Sequence, residues 1–273
     1  MQYFLTDKRI EKLLKIAWAR KKTAKKGDSG RVLIIGGSAK YTGCLALAGI
    51  SALRAGCDWV TIAAPERAAY AVSASSPDLV VEPLEGLDFH EHHWKILIDL
   101  IEKHDVVIIG TGMSDATKGL IAALVYAYPK KKKVLDAQAL HAVKLQDVHT
   151  AIFTPHKVEY ADLLKNSKIK EEQIEKKIGN NVLLKKGAVD AILSSTDTAL
   201  NRTGNPGMAK AGTGDVLAGL CAGFLAQGLS LFDSACLAAF VNGLSGDLLK
   251  AKKGYSYIAS DLHDEIRRIT GRK

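Results

Sequence analysis

The sequence predicts an α/β fold, a central and mostly parallel sheet with helices on both faces. Short continuous runs of β-branched and aliphatic residues recur, and nearly all end at a turn residue; strands buried on both faces read this way. Between most of these runs lie stretches with apolar residues at helical spacing, as the crossovers of parallel strands require. No internal repeat, low-complexity tract or Pro/Gly/Ser linker divides the chain, so residues 1–273 are expected to form one doubly wound domain.

In chain order, Ile10, Leu13, Leu14 and Ala17 recur at helical spacing among Lys and Arg, which predicts an amphipathic helix docked on its own domain. A signal peptide would show a continuous apolar block instead, so none is expected. Seven strands follow: RVLIIGG (31–37), WVTIAAP (59–65), DVVIIGTG (105–112), KVLDA (133–137), AIFTP (151–155), NVLLKKG (181–187) and AILSS (191–195). Helical patterns cover Leu45 to Ala55, His93 to Lys103, Lys118 to Tyr126 and Ile169 to Ile178, and from about Thr213 the pattern is wholly helical. Val216 to Val241 is interrupted by Gln227 and Asp233. It therefore falls short of a bilayer span and fits a pair of buried helices.

An apolar content of 47% with 25% charged residues excludes fibrous and disordered classes. The formal charge of +9 attracts anions without selecting among metabolites, nucleic acid and lipid. KKTAKK (Lys21 to Lys26) and KKKK (Lys130 to Lys133) carry no interleaved aromatics, so they read as solvated faces and no nucleic-acid or membrane partner is expected. Cys44, Cys57, Cys221 and Cys236 form no C-x-x-C pair; they read as reduced core residues of a cytoplasmic protein. His90, His92 and His93 lack the i, i+4 spacing of a helical metal pair and read as surface residues.

Ligands of such sheets sit beyond the carboxyl ends of the strands. That rule selects six loops: GGSAKYTG (36–43), GTGMSD (110–115), DAQAL (136–140), TPHKVEY (154–160), KKG (185–187) and NPGMAKAGTGD (205–215). In the last, Gly212, Thr213 and Gly214 open a helix and their amides are expected to face outward, a cradle for a phosphoryl group. Asp215, directly after them, is placed to take a proton from a substrate hydroxyl. An ordinary helix cap needs one polar side chain and no run of glycine. In TPHKVE, His156 can touch a substrate hydroxyl or phosphate, and Glu159 reads equally as a first-turn helix acid or as a carboxylate holding Mg²⁺ through water.

T-P-x-x-x-E after a strand together with G-T-G-D opening a helix resembles the ribokinase-like superfamily. The nearer resemblance is to the nucleotide-dependent NAD(P)H-hydrate dehydratases. It is carried by TPHKVE, NPGMAKAGTGDVLAG, KGDSGRVLIIGGSAKYTG, VVIIGTGMSD, VLDAQAL and LLKKGAVDAI, and covers residues 26–264. The resemblance implies a ribokinase-like three-layer α/β/α fold and a lyase that uses ADP or ATP to phosphorylate the ring hydroxyl of the S epimer of hydrated NADH or NADPH (NADHX, NADPHX), loss of phosphate then restoring the double bond. It implies Asp215 as the base, Gly212, Thr213 and Gly214 as the anion hole, and Gly43, Cys44, Gly112, His156 and Asp215 against the hydrated dinucleotide. Lys186, Gly187, Ala188, Val189, Asp190 and Gly214 are implied against the nucleotide, with Mg²⁺ at Glu159. A separate NAD(P)HX epimerase as pathway partner, a homotetramer and a preference for ADP are implied as well. Tyr41, in the YTG segment, is expected to face the nicotinamide ring.

Four residues depart from the pattern: Lys157 and Val158 replace Pro-Gly, Thr111 stands where Pro is common, and Gln138 replaces the second Asp of D-A-D. They bear on the dinucleotide pocket and leave the chemistry at Asp215 untouched. The competing readings are a ribokinase-like kinase for a vitamin precursor, of the hydroxyethylthiazole or pyridoxal type, and a catalytically silent nucleotide sensor.

Overall fold

The computed structural model describes residues 2–20 and 22–271. Lys21, at the head of the KKTAKK run, lies outside the described residues. The chain opens with β1 (Gln2–Phe4) and α1 (Asp7–Ala17), then alternates β2 (Arg31–Ile35), α2 (Gly43–Ala55), β3 (Trp59–Pro65), α3 (Glu66–Ser75) and β4 (Val80–Leu84). It continues with α4 (Trp94–Lys103), β5 (Val106–Ile109), α5 (Lys118–Ala127), β6 (Lys132–Leu135), α6 (Gln138–Ala142), β7 (Ala151–Phe153), α7 (Lys157–Ser167) and α8 (Ile174–Lys177). β8 (Val182–Lys185), β9 (Asp190–Leu193) and β10 (Thr198–Asn201) precede α9 (Thr213–Ala226), α10 (Leu231–Lys253) and α11 (Leu262–Thr270).

All ten strands form one sheet in the order β1-β10-β9-β8-β7-β6-β5-β2-β3-β4, parallel except where β9 pairs antiparallel with β8 and β10. β2 pairs with β3 on one side and with β5 on the other, so the winding direction reverses there and a crevice opens beyond the ends of β2 and β5. Alternation along each strand feeds two cores. Val32, Ile34, Val106 and Ile108 face the core with α1, α2, α9, α10 and α11, while Leu33, Ile35, Val107 and Ile109 face the core with α4 to α8. Burial on both faces explains why these strands read as unbroken apolar runs.

Three strands lie outside the predicted set: β1, β4 and β10. β1 and β4 are the sheet edges, where short strands and a proline such as Pro83 are tolerated, so their sequences carry little strand signal. The helix expected over 169–178 is instead a 3₁₀ turn (Glu171–Gln173) followed by the single turn of α8. Lys168, left-handed at φ 54°, ends α7 before it, and only Ile174 and Ile178 of the segment are buried.

Two surface expectations fail. Lys133 is 1% exposed, its ammonium donating to the carbonyls of Tyr128 at 2.6 Å and Lys131 at 2.7 Å, and burial pulls it down to about 8. His93 is buried too, with Nδ1 accepting from the His90 N–H at 3.1 Å and Nε2 facing the Glu85 carbonyl at 3.1 Å. The two partners replace the hydrogen bonds each side chain gives up on leaving water, while burial still disfavours the charged form of both.

α1 packs on α10 through Ile10, Leu13 and Ala17, and Arg9 pairs with Asp233 at 2.9 Å. α9 lies so close to α2 that a Cβ on Gly219 would stand 2.1 Å from the Ala48 carbonyl oxygen. The small residues of AGLCAGFLA serve this contact. No helix among the described residues is long and apolar enough to cross a membrane.

Candidate functional site

The start of α9 is built by a locked turn. Gly212 is its N-cap with φ 95°, and a side chain there would drive into Leu47 at 2.6 Å, so glycine is required on both counts. The Thr213 hydroxyl donates to the carbonyls of Met208 at 2.7 Å and Lys210 at 3.0 Å. The Thr213 amide also points back into this loop, 3.4 Å from the Lys210 carbonyl. Of the three amides expected to face outward, those of Gly212 and Gly214 have no partner among the described residues. From behind, Asp247 of α10 accepts from the Gly204 N–H at 2.8 Å and the Asn205 amide at 3.0 Å, while Tyr257 donates to Asn205 Oδ1 at 2.9 Å.

Four ionisable groups meet at this helix start. Asp136, just past β6, is 3% exposed, accepts from the Thr154 hydroxyl at 2.6 Å and lies 3.3 Å from Lys186 Nζ. Glu159, in the first turn of α7, is 3.8 Å from the same ammonium. A Cβ on Gly214 would lie 3.4 Å from Lys186 Nζ, which sets that ammonium beneath the glycine turn. Burial weakens the Lys186 charge, but Asp136, Glu159 and Asp215 outweigh it and raise its pKa. Asp215 is half-buried, and its carboxyl is pushed up to about 7, first by burial, then by Asp136 and Glu159, against the pull of Lys186. A carboxylic acid that titrates near neutrality in a polar crevice is matched to proton transfer. Lys186→Met is expected to move the Asp215 midpoint higher still, because it removes an ammonium that favours the carboxylate; carbon-detected NMR titration of the Asp215 carboxyl reads the shift.

His156 caps α7: its Nδ1 accepts from the N–H groups of Val158 at 3.1 Å and Glu159 at 3.3 Å, and Glu159 Oε2 accepts from the His156 N–H at 2.8 Å. This reciprocal cap uses only backbone at 157 and 158, so Lys157 and Val158, both exposed, leave the loop intact. Gln138 donates to Asp115 Oδ1 at 3.0 Å, a contact the acid usual at that place would turn into repulsion. Thr111 is buried with its hydroxyl unpartnered among the described residues, while its carbonyl accepts from the Gly37 N–H at 2.8 Å.

Gly112 and Cys44 adjoin one another, since a Cβ on Gly112 would stand 2.5 Å from the Cys44 sulfur. Cys44 is half-buried, unlike the buried Cys57, Cys221 and Cys236. Its thiol is pushed up to about 12 by burial and then by Asp215, so it is neutral and borders the same crevice. Gly43 has open space above it. Gly187, Ala188 and Val189 are exposed on the turn between β8 and β9, whereas the Asp190 carboxylate is spent on that turn, accepting from the Gly187 N–H and the Asn201 amide at 3.0 Å each.

The structure therefore brings Asp215, Gly214, Lys186 and Glu159 together, with His156 beside Glu159 and Cys44 beside Gly112. Asp136 and Thr154, which the sequence reading did not single out as site residues, belong to the same cluster; the sequence signals for them were their place in strand-end loops and in the VLDAQAL and TPHKVE motifs. Two surface hollows, bordered by Tyr3, Arg9 and Asp197 and by Asn181, Thr196 and Asp233, lie away from these carboxylates.

The chain matches the family model described as NAD(P)H-hydrate dehydratase over residues 32–268. A bifunctional NAD(P)H-hydrate repair enzyme from Methanothermobacter thermautotrophicus is 41% identical over 265 residues, covering 91% of this chain and 51% of that protein. An ADP-dependent (S)-NAD(P)H-hydrate dehydratase from Nitrosopumilus maritimus is 35% identical over 264 residues, covering 92% of each. Among solved structures, a ribokinase-like superfamily protein from Enterococcus faecalis superposes with a TM-score of 0.85 at 25% identity, covering 99% of this chain and 95% of that one. The fold is ribokinase-like, as the motifs implied. The chain spans about half the length of the bifunctional relatives it matches.

Proposed function

We propose, because the chain belongs to the NAD(P)H-hydrate dehydratase family, that it repairs the S epimer of NADHX and NADPHX at the expense of ADP or ATP. The observation that carries this reading is a carboxyl titrating near 7, Asp215, at a glycine-opened helix start beside the Lys186 ammonium. Asp215 takes the proton of the ring hydroxyl as that oxygen bonds to the terminal phosphorus. The bond from this phosphorus to its bridging oxygen breaks, releasing AMP from ADP or ADP from ATP. The C–O bond to the phosphorylated ring carbon then breaks, its electron pair leaving with inorganic phosphate, and the neighbouring ring carbon gives up a proton to solvent, so that its C–H pair becomes the carbon–carbon double bond of NADH or NADPH.

In this reading Gly212, Thr213 and Gly214 hold the transferred group, through the two unpartnered amides above all. Lys186, the Gly187–Asp190 turn and Gly214 take the nucleotide, and Gly43, Cys44, Gly112 and His156 border the hydrated dinucleotide. Three carboxylates around one ammonium form a hard-oxygen environment with surplus negative charge, which suits Mg²⁺. No group of three potential ligands stands at metal-binding distance among the described residues, so Glu159, with Asp136 near it, would hold the ion through water. When bound, magnesium neutralises phosphate charge. The name of the Nitrosopumilus relative supports ADP as co-substrate, and that of the Methanothermobacter relative supports a second repair activity, which we assign to an NAD(P)HX epimerase. A single domain, a homotetramer and a cytoplasmic location complete the proposal.

The test is to incubate the protein with NADHX, Mg²⁺ and either nucleotide and to follow recovery of the nicotinamide absorbance. Recovery with stoichiometric phosphate supports the dehydratase, whereas a stable phosphorylated alcohol without recovery would mark a kinase. Since the base must be ionised, the rate is expected to rise with pH and level off above about 7, the value to which Asp215 is raised. A rate that falls over that interval would remove Asp215 as the base.

A further inference from the structure

The mouth of the crevice has a corner that neither the phosphoryl chemistry nor the nucleotide turn uses. Tyr41 and Leu87 are 52% and 66% exposed there, yet both stand on braced backbone. The Tyr41 N–H donates to Ser38 Oγ at 3.3 Å and its carbonyl accepts from the Ser38 N–H at 3.2 Å. Its Cβ would lie 3.2 Å from a Cβ on Gly112. The Leu87 carbonyl accepts from the Ala39 N–H at 3.1 Å, which brings the loop after β4 back over the loop after β2. Ser114 donates to Asp88 Oδ2 and ties the same loop to the one after β5, while buried Phe89 and His93 root it in the core. A large apolar side chain fixed in water gains when a ligand covers it.

Lys40 completes the corner. It is exposed, its Nζ lies 5.1 Å from the centre of the Tyr41 ring, and it has no ion pair among the described residues. Asp136 directly follows β6, and β5 and β2 are the next two strands, so the corner lies on the order of 10 Å to one side, two strand spacings of ~4.8 Å. The Gly187–Asp190 turn lies in the opposite direction along the sheet. A dinucleotide whose hydrated ring reaches Asp215 has two riboses, a pyrophosphate and a second base still to accommodate.

We propose that Lys40, Tyr41 and Leu87 form a specificity corner for the hydrated dinucleotide, Tyr41 and Leu87 covering an apolar ring face and Lys40 holding a phosphate. This rests on the dehydratase reading. The phosphate is either the pyrophosphate shared by NADHX and NADPHX or the 2′-phosphate of NADPHX alone, and the two forms distinguish these sources.

The experiment measures dissociation constants for NADHX, NADPHX and ADP by calorimetry in an Asp215→Asn background, each ligand titrated alone so that no turnover occurs. Leu87→Ala is expected to weaken both hydrated forms about tenfold with ADP unchanged, and Leu87→Met to restore them. Lys40→Ala is expected to weaken both forms if it holds the pyrophosphate and NADPHX alone if it holds the 2′-phosphate, the loss shrinking as salt is raised. Unchanged affinities for both forms, or a loss confined to ADP, would overturn the assignment, as would a changed oligomeric state with unchanged dissociation constants. Equal melting temperatures of variants and parent show that folding is not what is read. Failure of the wild type to restore NADH would instead defeat the dehydratase reading, and the binding constants remain measurable in that case.

Discussion

Asp215→Asn is expected to lower turnover of NADHX by about 10²- to 10⁴-fold, the usual contribution of a positioned base, while raising the melting temperature at pH 8. Asparagine matches aspartate in size but cannot take a proton from an alcohol. The Asp215 carboxylate makes no hydrogen bond among the described residues, so the amide breaks nothing that shapes α9. The stability effect has a definite sign. The folded pKa is raised from 3.8 to about 7, so between those values the folded state binds more protons than the unfolded one and loses stability as pH rises. Above about pH 7 the wild type bears the whole penalty and the variant bears none. Nucleotide affinity is expected to hold, because the substitution removes a negative charge from beside Lys186. Initial rates and thermal melts at pH 8 check both halves, and a variant with wild-type turnover would remove Asp215 from the chemistry.

Gly219→Val is expected to cost about 3 kcal/mol of stability, the upper part of the range for overpacking a tight contact. A Cβ at 219 would stand 2.1 Å from the Ala48 carbonyl oxygen and 2.8 Å from Ser51 Cβ. The obstacle is mainly helix backbone, which has no rotamer to change, so α9 itself must move away from α2. That motion displaces the Gly212–Asp215 turn, and activity is expected to fall with stability. Gly43→Ala is the internal comparison, since nothing lies within 4 Å of a Cβ there. Its denaturation midpoint is expected to match that of the wild type, and Gly219→Val matching it too would show that the α2–α9 contact is not a constraint.

Much of the fold was legible because burial on both faces leaves a local mark. The runs at 31–35, 59–65 and 106–109 are apolar but for Arg31 and Thr61, each ends at proline or just before glycine, and each is a strand. β1 and β4 were not legible because an edge strand borrows its order from its neighbour, as Val80 to Leu84 does from β3. The KKKK run misled because a lysine buried by its own neighbours' carbonyls has the same sequence as a solvated one. His93 misled for the same reason.

The sequence by itself determined the strand-and-crossover pattern, the glycine turn that opens α9 and the family to which the chain belongs. These depend on local dihedral preference and on periodicity, which neighbouring residues encode. Only the tertiary structure decided that Asp136 and Thr154 join the site, that the Asp190 carboxylate is spent on its own turn, and that Asp215 titrates near neutrality. Each of those depends on burial and on charges brought through space from β6, α7 and β8, and such distances leave no trace in the order of residues around Asp215.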